Sequence, residues 1–233
     1  MTGALSELDT TGRLLVISPH LDDAVFSCRS LLRFARDVHV FTIFAGDAPV
    51  GAPTTSWDLQ CGFSDGTNVM KARRDEDARA LAMLGAVPLW AEELQEGYRV
   101  EPVDHERLTA LITGMIDTVA PTHVAFPLGL SHRDHLLVAD ASAAATRARH
   151  EAIPFVYAEQ PYAQRKPGIV RQRRGEVSAS GVELKIEPLP RGARRGDHAA
   201  LRCYASQLRG LKISALRMGL SRERYWRVAW RDE

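Results

Sequence analysis

Hydrophobic and polar positions alternate with two different periods along the first part of the chain. Residues 13–17, RLLVI, form a short apolar run of the kind that makes a strand buried on both faces. From residue 22 onward, apolar side chains recur at spacings of three and four, which predicts a helix. Residues 38–44 are again apolar enough for a buried strand. Strand, helix and strand in this order predict the opening of a βαβ unit.

The same alternation continues downstream. Further helices are predicted over 68–84, 104–119 and 134–149, and further strands over 87–90, 122–127 and 155–158. Between them, residues 45–67 are rich in Gly, Pro, Asp, Ser and Thr, and a loop of that length predicts the rim or lid of a site. The whole pattern predicts an α/β fold with a Rossmann-like, mostly parallel sheet flanked by helices.

The last third of the chain differs in composition and in its hydrophobic pattern. Residues 164–196 carry many arginines, and the segment 181–189, GVELKIEPL, alternates like a strand, so a small β excursion and a disordered basic loop both stay open. A last helix over 197–211 and an aromatic tail over 225–230 follow. We predict one domain over 1–233, with a core of about 12–160, a variable loop and β region of about 161–196, and a C-terminal helix and tail over 197–233.

Composition narrows the function classes. Of 233 residues, 45% are hydrophobic and 25% charged, which excludes collagen-like, disordered and coiled-coil proteins. The formal net charge of +1 excludes a global field that would attract nucleic acid or an anionic membrane. No apolar run reaches the roughly 20 residues of a membrane span. Three widely spaced cysteines and an N-terminus without a signal-peptide pattern predict a cytoplasmic protein.

Two clusters of imidazoles and carboxylates follow predicted strands. Because the carboxyl ends of parallel strands meet at one edge of a sheet, we expect the clusters to converge. Two histidines and one carboxylate around a divalent ion are the recurring catalytic zinc arrangement, and the spare groups can serve as base and acid. The six residues are His20, Asp22, Asp23, His132, Asp134 and His135.

Other interpretations of these residues remain open at this stage. Aspartates at 22, 23 and 134 could cap helices, and histidines at 132 and 135 could lie on the surface. The H-x-D pattern at residues 20–22 with a distant histidine also fits the facial triad of iron(II) oxygenases. A non-catalytic α/β module that binds a sugar is the third alternative. A nucleotide-binding role has little support, because no glycine-rich phosphate loop follows the first strand.

Four motifs resemble those of the LmbE-like (PIG-L) family of zinc-dependent N-deacetylases. Residues 18–23, SPHLDD, resemble the family's HPDD motif, and residues 132–135, HRDH, resemble its HPDH motif. Residues 204–207, YASQ, resemble its Y-x-S-Q motif near the C-terminus. The family's R-x-x-E…A…L-G helix is matched by Arg73, Glu76, Ala80, Leu84 and Gly85. The resemblance therefore extends in order along nearly the whole chain.

This resemblance implies a metal centre and a reaction. His20, Asp23 and His135 would bind Zn²⁺, with another divalent ion such as Fe²⁺ as an alternative. The reaction would remove an acyl group, acetyl first, from an amine on a sugar-containing small molecule or natural-product intermediate. The expected partner is thus an N-acylated amino sugar or glycoside, with a homo-oligomer left open. Nucleic acid is not expected, because the arginine-rich stretch 165–195 lacks the interleaved aromatics of a stacking platform.

The resemblance also implies catalytic roles. Asp22 would be the general base that takes a proton from the attacking water. His132 would stabilise the tetrahedral oxyanion and protonate the departing amine, and Asp134 would orient His132. Arg73 would bind substrate or form a salt bridge with Asp77 one turn along the helix.

The chain departs from the family pattern at four positions. Leu21 and Arg133 replace prolines, and Ala24 replaces an acidic residue. Leu130 occupies the position where some members have a tyrosine that assists the oxyanion. None of these changes removes a predicted ligand, base or acid. The reaction rate and the substrate preference are the properties that we expect the missing tyrosine to change.

Overall fold

A seven-stranded sheet organises the computed structural model, which describes residues 4–9, 11–149, 151–190, 193 and 198–231. The strands are β1 (Arg13–Ser18), β2 (Asp37–Thr42), β3 (Val87–Trp90), β4 (His123–Pro127), β5 (Ile153–Tyr157), β6 (Val182–Glu187) and β7 (Tyr225–Trp230). The helices are α1 (Asp23–Phe34), α2 (Ser56–Cys61), α3 (Val69–Leu84), α4 (His105–Val119), α5 (Arg133–Arg147), α6 (Tyr162–Arg165), α7 (Pro167–Ala179), α8 (His198–Arg202), α9 (Ala205–Gly210) and α10 (Ala215–Gly219). A 3₁₀ helix over Ala4–Asp9 precedes β1.

The sheet is parallel over most of its width. Its order is β3-β2-β1-β4-β5-β7-β6, in which the first five strands are parallel and β7 pairs antiparallel with both β5 and β6. Successive side chains of β1 enter opposite cores: Leu14 and Val16 pack on one face, and Leu15 and Ile17 on the other. A strand covered by helices on both faces must be apolar throughout, which explains the RLLVI run. The predicted fold class is confirmed.

Most predicted elements of the first 160 residues are present within one or two residues of their predicted bounds. The N-terminus of α4 follows Asp104, whose carboxylate accepts hydrogen bonds from two backbone N–H groups of the first turn. Helix α3 ends at Gly85, whose φ of 73° lies in the left-handed region that favours glycine. Local capping chemistry thus fixed boundaries that the hydrophobic pattern alone left approximate.

In three segments the structure differs from the prediction or decides between its alternatives. The loop predicted over 45–67 contains α2, whose start is fixed by a reciprocal capping box between Thr55 and Asp58. The described part of the arginine-rich stretch forms helix α7 and strand β6, so the strand-like alternation over 181–189 is a real strand, which belongs to the main sheet. The helix predicted over 197–211 is broken into α8 and α9, and the aromatic tail is strand β7. Residues 191, 192 and 194–197, with three of the arginines and the predicted helix start, lie outside the described residues.

Two arginines of α7 have packing roles. The Arg173 guanidinium donates to the Leu128 carbonyl oxygen at 3.1 Å and to Asp140 at 2.7 Å, so it ties α7 to the connection between β4 and α5. The Arg174 guanidinium lies 5.1 Å from the ring centroid of Trp226 on β7. These contacts account for part of the arginine enrichment without nucleic acid. In the described part of the chain, no helix is both long and apolar enough to cross a membrane.

Candidate active site

All the side chains predicted to carry chemistry line one pocket of about 500 Å³. The pocket lies at the carboxyl edge of the sheet, where β1 leads into α1 and β4 leads into α5. This is the edge at which the two clusters were expected to converge. The seven lining residues from the sequence prediction are His20, Asp22, Asp23, Arg73, His132, Asp134 and His135.

The start of α1 leaves both aspartates of the first motif available to the pocket. Asp22 occupies the N-cap position, yet its side chain makes no capping hydrogen bond. The Ser18 hydroxyl oxygen instead accepts the Ala24 backbone N–H at 3.1 Å, which satisfies a free donor of the first turn. The helix-capping interpretation of Asp22 is therefore wrong.

Two overlapping groups of side chains bring potential metal-ligating atoms within 4.8 Å of one another. One consists of His20, Asp23 and His135, and the other of His20, His132 and Asp134. In the first group, Asp23 Oδ2 lies 3.2 Å from His20 Nδ1 and 3.1 Å from His135 Nε2. Two imidazoles and a carboxylate match the donor set of a catalytic zinc site, so the residues present fit a divalent metal.

In the first group, each histidine has one ring nitrogen that does not face Asp23, and that nitrogen lies beside a second carboxylate. His20 Nε2 lies 3.0 Å from Asp134 Oδ2, and His135 Nδ1 lies 3.2 Å from Glu159 Oε1. Histidines that bind metals usually donate their other N–H to a carboxylate, which fixes the ring and its tautomer. Both histidines of the first group have such a partner facing away from Asp23.

His132 has a different hydrogen-bonding pattern. Its Nδ1 accepts the backbone N–H of Asp134 at 3.1 Å, so the proton of a neutral ring lies on Nε2. Burial and the neighbouring His20 lower the pKa of His132, which favours this neutral form. His132 Nε2 lies 3.6 Å from Glu96 Oε2. The Nε2–H of a neutral His132 ring is therefore available as a hydrogen-bond donor in the pocket.

Asp134 contacts His132 through its backbone N–H, whereas its carboxylate makes other hydrogen bonds. Its Oδ2 faces His20 and accepts the Glu96 backbone N–H at 3.1 Å, while Oδ1 accepts a hydrogen bond from Arg99. Burial opposes ionisation, but His20 and Arg99 hold the pKa of Asp134 well below its usual range. Asp134 thus orients His132 through its backbone and His20 through its side chain.

The two adjacent aspartates of the first motif have opposite electrostatic environments. Burial and the neighbouring Asp23 raise the pKa of Asp22 to about 7, and the Arg73 charge only partly opposes this. Burial also acts on Asp23, but the charge and hydrogen bonds of His135 and His20 hold its pKa well below the usual range. Asp23 is therefore ionised at neutral pH, whereas Asp22 is poised to exchange a proton.

Metal uptake is expected to release protons. Burial alone would lower the pKa of His135, but Asp23 and Glu159 raise it to about 10, so a metal that binds this ring at pH 7 would have to displace a proton. The apparent affinity for Zn²⁺ should rise about tenfold per pH unit between pH 7 and 9, since at least one proton leaves per ion. Titration calorimetry in buffers of different ionisation enthalpy measures this release, and an affinity independent of pH would contradict the assignment of His135.

The salt bridge considered between Arg73 and Asp77 is not formed. Arg73 donates to the Gln95 side-chain oxygen at 2.8 Å and lines the pocket. The Asp77 carboxylate accepts hydrogen bonds from Trp90 at 2.8 Å and from Tyr204 at 2.7 Å. The hydrogen bond from Tyr204 joins the Y-x-S-Q segment to α3. Because the Asp77 carboxylate has these two partners, Arg73 does not pair with it and faces the pocket.

One wall of the pocket depends on the contact between α2 and α9. A Cβ atom added at Gly210 would lie 2.5 Å from Cys61 Sγ and 3.0 Å from the indole of Trp57, which lines the pocket. Gly210→Ala should therefore displace Trp57, raise KM and lower the free energy of unfolding by about 1–3 kcal/mol.

Substrate titration and thermal denaturation check this prediction for Gly210. The matched control is Gly114→Ala on the exposed surface of α4, where nothing lies within 4 Å and stability should rise by about 0.5–1 kcal/mol. An unchanged KM for Gly210→Ala would show that the wall does not contact substrate.

Five residues at the site lie outside the recognised motifs. Gln95, Glu96 and Tyr162 line the pocket, and Arg99 and Glu159 contact its residues Asp134 and His135. Glu159 follows the carboxyl end of β5, so the strand-end rule that found the two clusters could have found it too. Tyr162 packs edge-on against His135, with ring centroids 5.4 Å apart. Leu130, at the position of the family's tyrosine, is buried in the core.

A family model and several solved structures match this chain. The model of the family described as PIG-L, GlcNAc-PI de-N-acetylase, matches residues 15–146. No curated protein sequence matches the chain. The A40926 pseudoaglycone deacetylase Dbv21 is 28% identical, with a TM-score of 0.76 over 95% of this chain and 99% of that chain. The zinc-inhibited form of teicoplanin deacetylase Orf2 is 25% identical, with the same TM-score and coverage.

A more distant structure shares the fold alone. The 4-carboxy-2-hydroxymuconate hydratase GalB from Pseudomonas putida is 13% identical, with a TM-score of 0.53 over 95% of this chain and 98% of that chain. The family model covers more than half of the chain, and the solved structures at 25–28% identity are deacetylases. The predicted family and the predicted N-deacetylase class of hydrolase are therefore confirmed, and the chain belongs to the PIG-L family.

Proposed function

We propose that this protein is a metal-dependent hydrolase that removes an N-acyl group, acetyl first, from an amino-sugar-containing small molecule or natural-product intermediate. The observation that carries the proposal is the convergence of His20, Asp23 and His135 beside Asp22 and His132 in one pocket. The similarity to deacetylases of the A40926 and teicoplanin glycopeptides supports a glycosylated natural product as the substrate class.

In this proposal His20, Asp23 and His135 hold the metal, with Zn²⁺ as the first candidate and Fe²⁺ as the second. A divalent cation in that position supplies a positive charge that polarises an amide carbonyl and acidifies water. The protein fixes the two imidazoles through Asp134 and Glu159, so little rearrangement of the ligands is required.

Asp22 is assigned the role of general base. Its carboxyl group lines the pocket, caps no helix, and has a pKa raised to about 7 by burial and by Asp23. A base whose pKa lies near the working pH can accept a proton from the attacking water and return it later in the reaction. Asp23, ionised beside two histidines, is unsuited to this exchange.

His132 is assigned the role of hydrogen-bond donor. Its Nε2–H is free to donate to the oxyanion that develops on the amide oxygen, because Nδ1 is held by a backbone N–H. The departing amine takes the proton that Asp22 removed from the water, so the neutral His132 ring keeps its own proton throughout. Arg73, deep in the pocket and paired with Gln95, is assigned to substrate binding.

The two alternative functions are less well supported. Iron(II) oxygenases with an H-x-D…H triad usually have double-stranded β-helix scaffolds, whereas this chain has a mostly parallel sheet flanked by helices. A non-catalytic sugar-binding module would not need two aspartates with such different pKa values next to a metal-ligand set. We also propose a cytoplasmic location, because the three cysteines are free.

A screen for amine release tests the proposal. Protein loaded with Zn²⁺ or Fe²⁺ would be offered N-acetylglucosamine, its glycosides and N-acetylated glycopeptide pseudoaglycones. We expect at least one substrate to yield primary amine and carboxylate in equal amounts. Absence of amine from every N-acylated amino sugar, with metal bound at one ion per chain, would refute the proposed substrate class.

A further inference from the structure

A single carboxylate oxygen outside the predicted motifs connects two parts of the site. Glu159 follows the carboxyl end of β5 and is 0% exposed. Its Oε1 accepts the backbone N–H groups of Gly129 at 2.9 Å and Leu130 at 2.6 Å. The same oxygen lies 3.2 Å from His135 Nδ1. One atom therefore contacts both the turn that precedes α5 and a ring on α5.

The turn held by Glu159 is conformationally demanding. Gly129 has a φ of 87° and Ser131 a φ of 64°, so two of its residues lie in the left-handed region. A non-glycine residue there costs free energy and persists where the surroundings hold it in place. The carboxylate of Glu159 supplies that restraint immediately before His132 and His135.

The second oxygen of the carboxylate has no competing partner. Glu159 Oε2 is buried and makes no hydrogen bond, whereas Oε1 receives all three donors. The turn amides and His135 Nδ1 thus share the oxygen Oε1. The other nitrogen of the ring, Nε2, lies 3.1 Å from Asp23 Oδ2. The position of Glu159 thus determines which nitrogen of His135 faces Asp23.

We propose that Glu159 is a positioning residue of the metal site, which holds His135 as the Nδ1–H tautomer with the Nε2 lone pair directed to the metal. This inference rests on the proposed function, because it assumes that His135 is a ligand. Asp134 holds Nε2 of His20 in the corresponding way, from a different strand end. Removing such a carboxylate typically lowers metal affinity 10–100-fold.

Glu159→Gln removes the negative charge beside His135 and keeps the hydrogen-bond acceptor. The amide oxygen can still accept from the turn and from His135 Nδ1, and the NH₂ group takes the place of Oε2, which carries no bond, so a loss of affinity reports the carboxylate charge that makes the ring a stronger ligand. The matched control is Glu223→Gln, which alters another buried carboxylate that accepts hydrogen bonds from Ser30 and Tyr225, outside the pocket lining. Zn²⁺ affinity is measured by competition with a chromophoric chelator, and the Co²⁺ absorption spectrum reports the geometry of the site.

The expected result is Zn²⁺ binding about tenfold weaker in Glu159→Gln, with an altered Co²⁺ spectrum, and affinity unchanged in Glu223→Gln. Unchanged affinity in Glu159→Gln, or an equal loss in both variants, would overturn the inference. A wild-type affinity no higher than that of His135→Ala would instead overturn the metal site on which the inference depends.

A second measurement requires no variant at position 159. ¹⁵N NMR of the histidine rings in the Zn²⁺-loaded wild-type protein reports which nitrogen carries the proton. We expect His135 to have a protonated Nδ1 and a metal-bound Nε2, with His135→Ala providing the assignment. A metal-bound Nδ1 would overturn the inference even if Glu159→Gln fails to fold.

Discussion

Asp22→Asn is expected to lower kcat/KM for N-deacetylation by about 10²–10⁴-fold while the metal content stays at the wild-type value. The asparagine fills the same space but cannot accept the proton of the attacking water. Asp23, the neighbouring carboxylate, cannot replace it, because its low pKa keeps it ionised and it lies within 3.2 Å of both ligand histidines.

Stability measurements separate this loss from misfolding. The pKa of Asp22 is about 7 in the folded protein and near 4 in an unfolded chain, so this group makes the metal-free fold less stable as pH rises through that interval. Asp22→Asn should therefore unfold at the same temperature as wild type or higher above pH 7. Asp75→Asn, on the exposed face of α3, is the control and should leave kcat/KM unchanged. Near-normal turnover by Asp22→Asn would mean that another group is the base.

His135→Ala is expected to abolish turnover by a different route, the loss of the metal. A four-ligand zinc site typically has a binding free energy of about 10–16 kcal/mol. If the four ligands contribute equally, the loss of one lowers the Zn²⁺ affinity on the order of a hundredfold. Metal content after dialysis and chelator competition measure the loss. The exposed His105 on α4 gives the control His105→Ala, which should retain both metal and activity. Full metal occupancy in His135→Ala would exclude this histidine as a ligand.

The two variants together define the site more sharply than either does alone. Loss of activity with metal retained is the signature of the base, and loss of both is the signature of a ligand. The division depends on adjacent aspartates that face different partners, since Asp23 contacts the imidazoles while Asp22 makes no capping bond. Two equal phenotypes would contradict this division between base and ligand.

Features encoded locally were predictable from the sequence. The apolar run that forms β1 indicated a strand covered on both faces, and Gly85 marked the end of α3. The convergence of the two motifs was also predictable, because a parallel sheet brings its strand ends to one edge. His20 and His135, although 115 positions apart, have ring centroids separated by 5.2 Å.

Features that depend on tertiary contacts were not predictable in this way. The carboxylate of Asp134 turns to His20 because Arg99 and the Glu96 backbone, on a loop with no recognisable motif, hold it there. Helix α7 is anchored by Arg173 to a carbonyl group that a hydrophobic pattern does not reveal. The strand-end rule could have placed Glu159 at the edge of the sheet, but the contact of its carboxylate with His135 Nδ1 depends on the tertiary structure.

The most direct test of the account is a metal titration of chelator-treated protein with an N-acetylated amino-sugar substrate, in which bound metal, primary amine and carboxylate are all measured. The account predicts that activity returns in proportion to bound metal and saturates at one ion per chain, with one carboxylate formed per amine. It also predicts that Asp22→Asn binds the same ion without turnover. Undiminished amine release by the metal-depleted protein would contradict the central claim that His20, Asp23 and His135 form a catalytic metal site.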